Sequence, residues 1–278
     1  MGDYVRPAGL DEALEHLARR PYAVVAGATD LYPAHVGRSL QGHLLDISGI
    51  LTLRGIVRHD DHWRIGATTT WSDLIAADLP PLFDGLKQAA REIGGRQIQN
   101  AGTLGGNICN ASPAADGVPP LLALDAEVEL ASVDGMVRLP LAAFVNRSRS
   151  TARKRGQLLT GILVPQPALP CRSAFAKLGA RRYLVISIAS VAAMIEIDCG
   201  LVSRARVAVG ACSPVPCRLP ELEAALRGAV LDKRLGDCVT ESHLAALAPI
   251  DDIRADASYR RAAVTVMVRR ILNQLGPA

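Results

Sequence analysis

The spacing of apolar residues divides the first half of the chain into helical and extended segments. Leu10, Ala13, Leu14 and Leu17 recur at the spacing of one helix face, which predicts a helix over residues 10–19. Short apolar runs bounded by turn residues are typical of strands. Such runs predict strands at residues 22–26, 43–47, 55–59, 63–67, 127–133, 136–139 and 158–164. Caps and prolines predict helices at residues 70–75, 80–95 and 121–124.

A proline-rich stretch separates this half from the rest of the chain. Three prolines between residues 165 and 170 prevent regular structure and predict a linker. Apolar runs beyond it predict strands near residues 174–178, 190–197 and 204–209, and helices at 221–226 and 259–275. Four arginines of the last helix are predicted to lie outside its apolar face, namely Arg260, Arg261, Arg269 and Arg270. We therefore expect two domains, residues 1–168 and 169–278.

Residues 94–118 break the alternation of helices and strands. The stretch GGRQIQNAGTLGGNICNASPAADG holds six glycines with Asn, Ser, Thr and Pro, and it has neither the helical nor the strand period. We predict a long loop. A loop of this length inside a compact domain is usually functional.

Composition narrows the class of protein. At 278 residues, 49% of them hydrophobic, the chain can build cores without metal or disulfide support. Its apolar stretch without charges, residues 183–195, is shorter than the roughly 20 residues of a membrane-spanning helix, so no span is expected. The N-terminus carries acids and lacks the apolar core of a secretory signal. We expect a cytoplasmic protein.

The cysteines and histidines give no sign of a metal site. The six cysteines show no C-x-x-C and no zinc or iron–sulfur spacing, so we expect reduced, structural thiols. His59 and His62 bracket a hairpin turn and are expected to be solvated.

Five positive charges fall within nine residues. They are Arg147, Arg149, Arg153, Lys154 and Arg155. Nucleic-acid surfaces interleave such charges with stacking aromatic residues, which are missing here, so we expect no nucleic-acid binding. The stretch fits either a solvated loop or a docking site for an acidic partner or a nucleotide.

Two short glycine-bearing segments carry the strongest chemical signal. The first glycine segment, residues 24–31, follows a predicted strand, and the second glycine segment covers residues 102–107. Glycine lets the backbone approach a ligand closely, so that successive N–H groups point at a phosphate, and Thr29 and Thr103 add hydroxyl donors. Two such segments facing each other could bind a pyrophosphate. The alternative is that the glycines only make turns.

Common catalytic motifs are absent from the sequence. It has no G-x-G-x-x-G after a strand, no Gly-Lys dipeptide of a Walker A loop, no H-E-x-x-H and no G-x-S-x-G. We therefore assign no catalytic side chain and no metal ligand. Asp116 could bind a ribose or ribityl hydroxyl, or it could cap the helix after Gly117.

Four stretches together resemble one known family. They are AGATD at 26–30, IGGRQIQNAGTLGGNICNASPAAD at 93–116, RKRGQLLTGILVP at 153–165 and RADASYRRAAVTVMVRR at 254–270. In this order and over nearly the whole chain, they resemble the FAD-binding (medium) subunit of molybdenum hydroxylases, the family of carbon monoxide dehydrogenase and xanthine dehydrogenase.

The resemblance implies a fold and a set of cofactor contacts. The fold would be α+β, with an FAD-binding domain of the vanillyl-alcohol-oxidase (PCMH) type in two subdomains, about 1–54 and 55–168, followed by a C-terminal antiparallel sheet packed on helices. The two glycine segments would grip the pyrophosphate of FAD. The implied cofactor-binding residues are Val24, Val25, Ala26, Gly27, Ala28, Thr29, Asp30, Leu31, Ile93, Thr103, Gly105, Gly106, Asn107, Asp116, Leu159, Lys177 and Tyr183.

The resemblance also implies partners and a role in electron transfer. A small subunit would hold two [2Fe–2S] clusters, a large subunit would hold molybdopterin, and the complex would be a dimer of heterotrimers. Electrons would pass from the clusters through FAD to NAD⁺ or another acceptor. Proline at Thr103 or valine at Gly105 should then abolish FAD retention, by removing amide donors or closing the backbone approach.

Two departures and two alternatives accompany this resemblance. Many relatives have glycine at the position of Ala28, and alanine would be awkward there if φ is positive. The chain passes from Asp116 straight to Pro119, without the cysteine-rich insertion that holds an extra four-iron cluster in some relatives. The alternatives are a self-contained flavin oxidase of the same superfamily and a non-catalytic assembly or nucleotide-binding module.

Overall fold

The computed structural model describes residues 2–38 and 40–277. The strands are β1 (Tyr4–Val5), β2 (Ala23–Val25), β3 (Leu44–Asp46), β4 (Ile56–Arg58), β5 (His62–Gly66), β6 (Glu127–Ser132), β7 (Gly135–Pro140), β8 (Val145–Arg147), β9 (Ser150–Thr151), β10 (Leu158–Pro165), β11 (Cys171–Leu178), β12 (Ala189–Asp198), β13 (Leu201–Gly210) and β14 (Cys217–Arg218). The α-helices are α1 (Leu10–Arg19), α2 (Trp71–Ala76), α3 (Asp84–Glu92), α4 (Arg96–Ala101), α5 (Leu104–Asn110), α6 (Val118–Ala123), α7 (Leu141–Phe144), α8 (Pro220–Leu226) and α9 (Ala257–Leu275). Short 3₁₀ turns lie at Pro33–His35, Leu51–Leu53, Pro81–Phe83, Leu235–Cys238 and Glu241–Leu244.

The N-terminal part begins with a small parallel sheet in the order β1-β3-β2. Helix α1 buries Ala13, Leu14 and Leu17 in the core beside this sheet, together with Leu45 of β3. The predicted amphipathic helix is therefore confirmed, and its apolar face is the one that the spacing indicated.

A five-stranded antiparallel sheet in the order β4-β5-β10-β6-β7 follows. Helices α2, α3, α5 and α6 supply much of its core, in which Trp71 and Phe83 are almost fully buried. Thr70 caps α2 as predicted, because its hydroxyl accepts from the Asp73 amide while the Asp73 carboxylate accepts from the Thr70 amide. The predicted hairpin β6-β7 is present, but its turn lies one residue earlier than predicted, at Val133 and Asp134, because Ser132 pairs with Gly135.

The prediction of one long loop over residues 94–118 is wrong. This stretch holds helices α4 and α5 and leads into α6. Its helical period is hidden because Leu104 and Ile108 are the fully buried large apolar residues of α5, with glycines between them. Gly105 stands where a Cβ would lie 2.6 Å from the Ala67 carbonyl oxygen, so the glycine allows α5 to pack directly on backbone.

The C-terminal part is a four-stranded antiparallel sheet in the order β11-β12-β13-β14. One face packs on α8 and α9, and the other packs on α3 and α6 of the N-terminal part. Mixed α and β structure with a C-terminal antiparallel sheet packed on helices agrees with the prediction. Within the described residues no helix is long and apolar enough to cross a membrane.

The prediction that Arg260 lies on the exposed face of α9 is wrong. Arg260 is 2% exposed, and its guanidinium donates to the carbonyl oxygens of Ile188 at 2.6 Å and Ala211 at 2.9 Å. Asp252 adds a carboxylate 2.7 Å away. A buried cation is tolerated here because carbonyl groups and a counterion replace its hydration.

Candidate functional site

A cavity of about 750 Å³ opens between the C-terminal end of β2, helices α4 and α5, strand β10 and the loop that joins β11 to β12. Its volume falls within the range of about 300–1,000 Å³ that is typical of small-molecule sites. The cavity therefore draws on the small parallel sheet, the five-stranded sheet and the C-terminal part of the chain.

The cavity collects nearly all of the residues that the sequence singled out. The predicted residues that line it are Val24, Val25, Ala26, Gly27, Ala28, Thr29, Asp30, Leu31, Ile93, Thr103, Gly105, Gly106, Asn107, Asp116, Leu159 and Lys177. Tyr183 is not among the lining residues. It is 59% exposed, and its ring contacts the guanidinium of Arg182 instead.

The first glycine segment is held in an unusual backbone conformation. Ala28 has φ of 55°, in the left-handed region that disfavours a side chain. The condition under which alanine was expected to be awkward is therefore met. Gly27 packs against helix α4 so closely that a Cβ would overlap the Ala101 carbonyl group.

The same segment has amides that no protein group satisfies. Carbonyl groups of Ala28 and Asp30 accept hydrogen bonds from Tyr32 and Ala34, which turn the chain. Within the described ranges, no backbone or side-chain acceptor pairs with the N–H groups of residues 27–31. Backbone donors that face a cavity without partners form a site for an anion.

The second glycine segment is built differently from its prediction. The amides of Leu104 and Gly105 donate to the carbonyl oxygens of Thr69 and Ala67 at 3.0 and 2.9 Å. The Gly106 amide donates to the Thr103 hydroxyl at 3.0 Å, which caps α5. These amides are therefore consumed inside the protein, and the expectation that this segment offers a run of amides to a phosphate is wrong.

Asn107 on the first turn of α5 keeps an unsatisfied group beside the cavity. Its side-chain oxygen is buried and has no hydrogen-bond partner among the described residues. Gly117 makes room for it, since a Cβ there would lie 2.7 Å from that oxygen. Buried polar groups without partners are rare in proteins, and a bound ligand is one way in which they become satisfied.

A buried ion pair forms the wall between the two parts of the chain. Lys177 of β11 lies 2.6 Å from the carboxylate of Asp116, and both side chains are 6% exposed. Ser187 donates to the other carboxylate oxygen at 2.5 Å. Burial raises the pKa of Asp116, while Lys177 and Ser187 oppose that rise by stabilising the charged form. The helix-cap alternative for Asp116 is not observed, because Gly117 is the N-cap of α6 and no side chain caps it.

Sequence reasoning missed several residues of the cavity wall. Leu184, Val185 and Ile186 cover one side from the β11–β12 loop, where no pattern distinguishes them from other apolar residues. Arg149 and Arg153 also line the cavity. They belong to the basic stretch at residues 147–155, so a signal existed, but its individual members could not be told apart.

No metal site accompanies the cavity in the part of the chain that the structure describes. Among the described residues, no group of three or more His, Cys, Asp or Glu side chains is arranged as a metal site. The six cysteines carry free thiols.

Two family models together match almost all of the chain. Residues 1–167 match the FAD binding domain in molybdopterin dehydrogenase. Residues 174–275 match the CO dehydrogenase flavoprotein C-terminal domain.

Individual relatives match this chain over nearly their whole length and carry names that agree with the family models. A xanthine dehydrogenase FAD-binding subunit of Escherichia coli is 32% identical over 276 residues, which cover 98% of this chain and 94% of the relative. A glyceraldehyde dehydrogenase medium chain of Sulfolobus acidocaldarius is 30% identical, with coverage of 98% and 97%. A chain of carbon monoxide dehydrogenase from Hydrogenophaga pseudoflava superposes with a TM-score of 0.89 at 29% identity, over 99% of this chain and 96% of that chain.

Proposed function

Because this chain belongs to the family of FAD-binding subunits of molybdopterin dehydrogenases, we propose that its cavity binds FAD for electron transfer within a larger oxidoreductase complex. The observation that carries this proposal is the run of unpaired amides at residues 27–31, which face a cavity of suitable size. The unsatisfied Asn107 oxygen supports it independently, because an apolar ligand could not satisfy that group.

The residues divide into two groups of proposed contacts. The amides of the first glycine segment bind the diphosphate, and Thr103 adds its own N–H and hydroxyl. Gly105 lines the cavity while it lets α5 pack on the Ala67 backbone, Gly106 lets the ligand approach the helix backbone, and Asn107 binds a polar group of the ligand. Ile93 and Leu159 contact the isoalloxazine ring as apolar walls. We propose no ligand contact for Tyr183, because it lies outside the cavity.

The charged pair at the domain boundary has a positioning role in this proposal. Asp116 and Lys177 hold β11 and the β11–β12 loop against the N-terminal part, which keeps Leu184, Val185 and Ile186 over the cavity. These side chains exclude water from one side of the bound ring. When bound, FAD supplies the redox chemistry, and the protein supplies its position and electrostatic surroundings. This division agrees with the absence of any assigned catalytic side chain.

The proposal extends to the rest of the complex. We propose that a small subunit with [2Fe–2S] clusters delivers electrons to this subunit, that a large subunit holds molybdopterin and oxidises the substrate, and that NAD⁺ or another acceptor takes the electrons. A dimer of heterotrimers in the cytoplasm is the proposed assembly. We also propose a PCMH-type domain at 1–168, with subdomains of about 1–54 and 55–168, and a second domain at 169–278.

Purification of the full-length chain tests the function. The expected product is yellow, or becomes yellow with added FAD, and its flavin is reduced only when NADH or the reduced form of the cluster-bearing subunit is supplied. A yellow chain that is reduced by an organic substrate of its own, without partners, would instead identify a self-contained oxidase. A colourless chain that takes up no FAD would contradict the proposal and favour a non-catalytic module.

A further inference from the structure

The cavity is lined by three cations and by two carboxylates, those of Asp30 and Asp116, so its lining carries a net positive charge. Of the cations that line it, Lys177 is paired with Asp116. Arg149 donates to the side-chain oxygen of Asn110 at 2.5 Å, and Arg153 donates to the carbonyl oxygen of Gln157 at 2.8 Å. Both acceptors are neutral. Among the described residues, neither guanidinium has a carboxylate within ion-pair distance.

The position of Arg149 is fixed at a cost in backbone energy. Its φ of 59° lies in the left-handed region, as does the φ of 45° at Ala111. The Arg149 amide donates to the Ala111 carbonyl oxygen at 2.8 Å, which ties the β8-β9 hairpin to the C-terminal end of α5. Glycine would adopt this conformation without strain, whereas arginine adopts it at a cost in backbone energy. Strained residues that persist are concentrated at functional sites.

The basic stretch therefore divides into two sets. Arg149 and Arg153 line the cavity, whereas Arg147, Lys154 and Arg155 do not. All five side chains are exposed, so exposure alone does not separate them. The two that reach the cavity have unbalanced charge, defined hydrogen bonds and donors that suit the oxygens of a phosphate.

We propose that Arg149 and Arg153 form an arginine pair that binds the anionic diphosphate of FAD. This inference rests on the proposed function. It adds a second source of phosphate binding to the unpaired amides of the first glycine segment, and it replaces the donors that the second glycine segment uses internally. Guanidinium groups are geometrically matched to phosphate oxygens and keep their charge at any physiological pH.

The test uses Arg149→Asn, Arg153→Gln and the double variant in the full-length chain. Asparagine tolerates positive φ better than other non-glycine residues, so the hairpin is retained. We expect FAD affinity, measured by quenching of flavin fluorescence, to fall about tenfold for each single change and about a hundredfold for the double variant at low salt. Because screening weakens exposed charges, the wild-type affinity should fall with added salt, and the double variant should respond much less.

Two kinds of control keep the test specific. Arg147→Gln and Arg155→Gln remove charge from the same basic stretch outside the cavity, and they should leave FAD affinity within about twofold, since distant exposed charges are screened. Arg149→Gly removes the guanidinium while relieving the positive φ, so it should lower FAD affinity without lowering the melting temperature of the apoprotein.

Four results would overturn the inference. Unchanged FAD affinity in the double variant would show that the arginine pair does not bind the diphosphate, while the proposed function would stand. An equal loss in the Arg147 and Arg155 controls would show a general charge effect. An unchanged salt dependence in the double variant would show that the loss is structural. If the wild-type chain itself takes up no FAD, the proposed function fails, and this inference fails with it.

Discussion

The two glycine segments look alike in sequence but use glycine for opposite purposes. In the first, Gly27 and the left-handed Ala28 turn the backbone so that the amides of residues 27–31 remain free. In the second, Gly105 removes a side chain so that α5 can pack on strand backbone, and the nearby amides are bonded inside the protein. Glycine content alone therefore does not identify a phosphate site. The decisive property is whether other parts of the chain already use the exposed amides.

The largest expected effect is a loss of FAD affinity on substitution in the first glycine segment. Gly27→Ala places a Cβ into the Ala101 carbonyl group, so the first glycine segment must move and its amides lose their alignment. We expect FAD affinity to fall by about a hundredfold or more, because several charge-assisted hydrogen bonds are lost together. Equilibrium dialysis with FAD measures the loss. Gly9→Ala is the matched control, since its Cβ would meet nothing within 4 Å. Full FAD binding by Gly27→Ala would show that the amides of this segment are not the donors.

A smaller effect separates the segments by stability. Gly105→Ala brings a Cβ to 2.6 Å from the Ala67 carbonyl oxygen and 3.0 Å from a methyl group of Leu159. We expect urea unfolding of the apoprotein to show a loss of about 1–3 kcal/mol, as is typical of overpacked cores. Gly106→Ala meets only the Thr103 hydroxyl, and its gain in helix propensity of about 1 kcal/mol offsets a weakened cap of similar size. Equal losses in the two variants would contradict the packing role of Gly105.

The smallest effect concerns the backbone of the first segment. Ala28→Gly relieves the positive φ but makes the unfolded chain more flexible, and the two terms nearly cancel. We expect a change in unfolding free energy below about 1 kcal/mol with FAD binding retained, whereas the β-branched side chain of Ala28→Val should weaken both. Thermal melts with and without FAD measure this pair. A marked loss in Ala28→Gly would mean that the alanine methyl group makes a contact that outweighs the strain.

Periodic segments of the fold were predictable because their residues repeat a simple spacing. Helix α1 follows directly from apolar periodicity, and the Asp-Gly pair located the hairpin β6-β7 to within one residue of its observed turn. Helix α5 was not predictable in this way, since Gly105 occupies the position that contacts the Ala67 backbone, and only Leu104 and Ile108 remain as large apolar residues to mark the buried face. Burial of Arg260 was also hidden, because the carbonyl groups that satisfy it come from Ile188 and Ala211, far away in sequence.

The candidate site was predictable residue by residue mainly through family resemblance. Chemical reasoning from glycine, threonine and asparagine types located the two segments but not the hydrogen bonds that distinguish them. Arg149 and Arg153 could be recognised as basic, yet their access to the cavity depends on the β8-β9 hairpin and its bond to Ala111. Tyr183 shows the converse, because a position that resembles a ligand contact does not line the cavity in this chain and is exposed.

The Asp116–Lys177 pair joins the two parts of the chain at the cavity wall, and this arrangement determines how the protein gains stability from a ligand. One cavity wall comes from residues 1–167 and the other from residues 174–275, so a ligand that touches both walls binds only when the two parts are docked. Ligand binding and docking are therefore thermodynamically linked, and saturation at 100 times the dissociation constant stabilises the docked form by about 2.7 kcal/mol. A bound ligand would therefore reversibly stabilise the contact between two parts of the same chain.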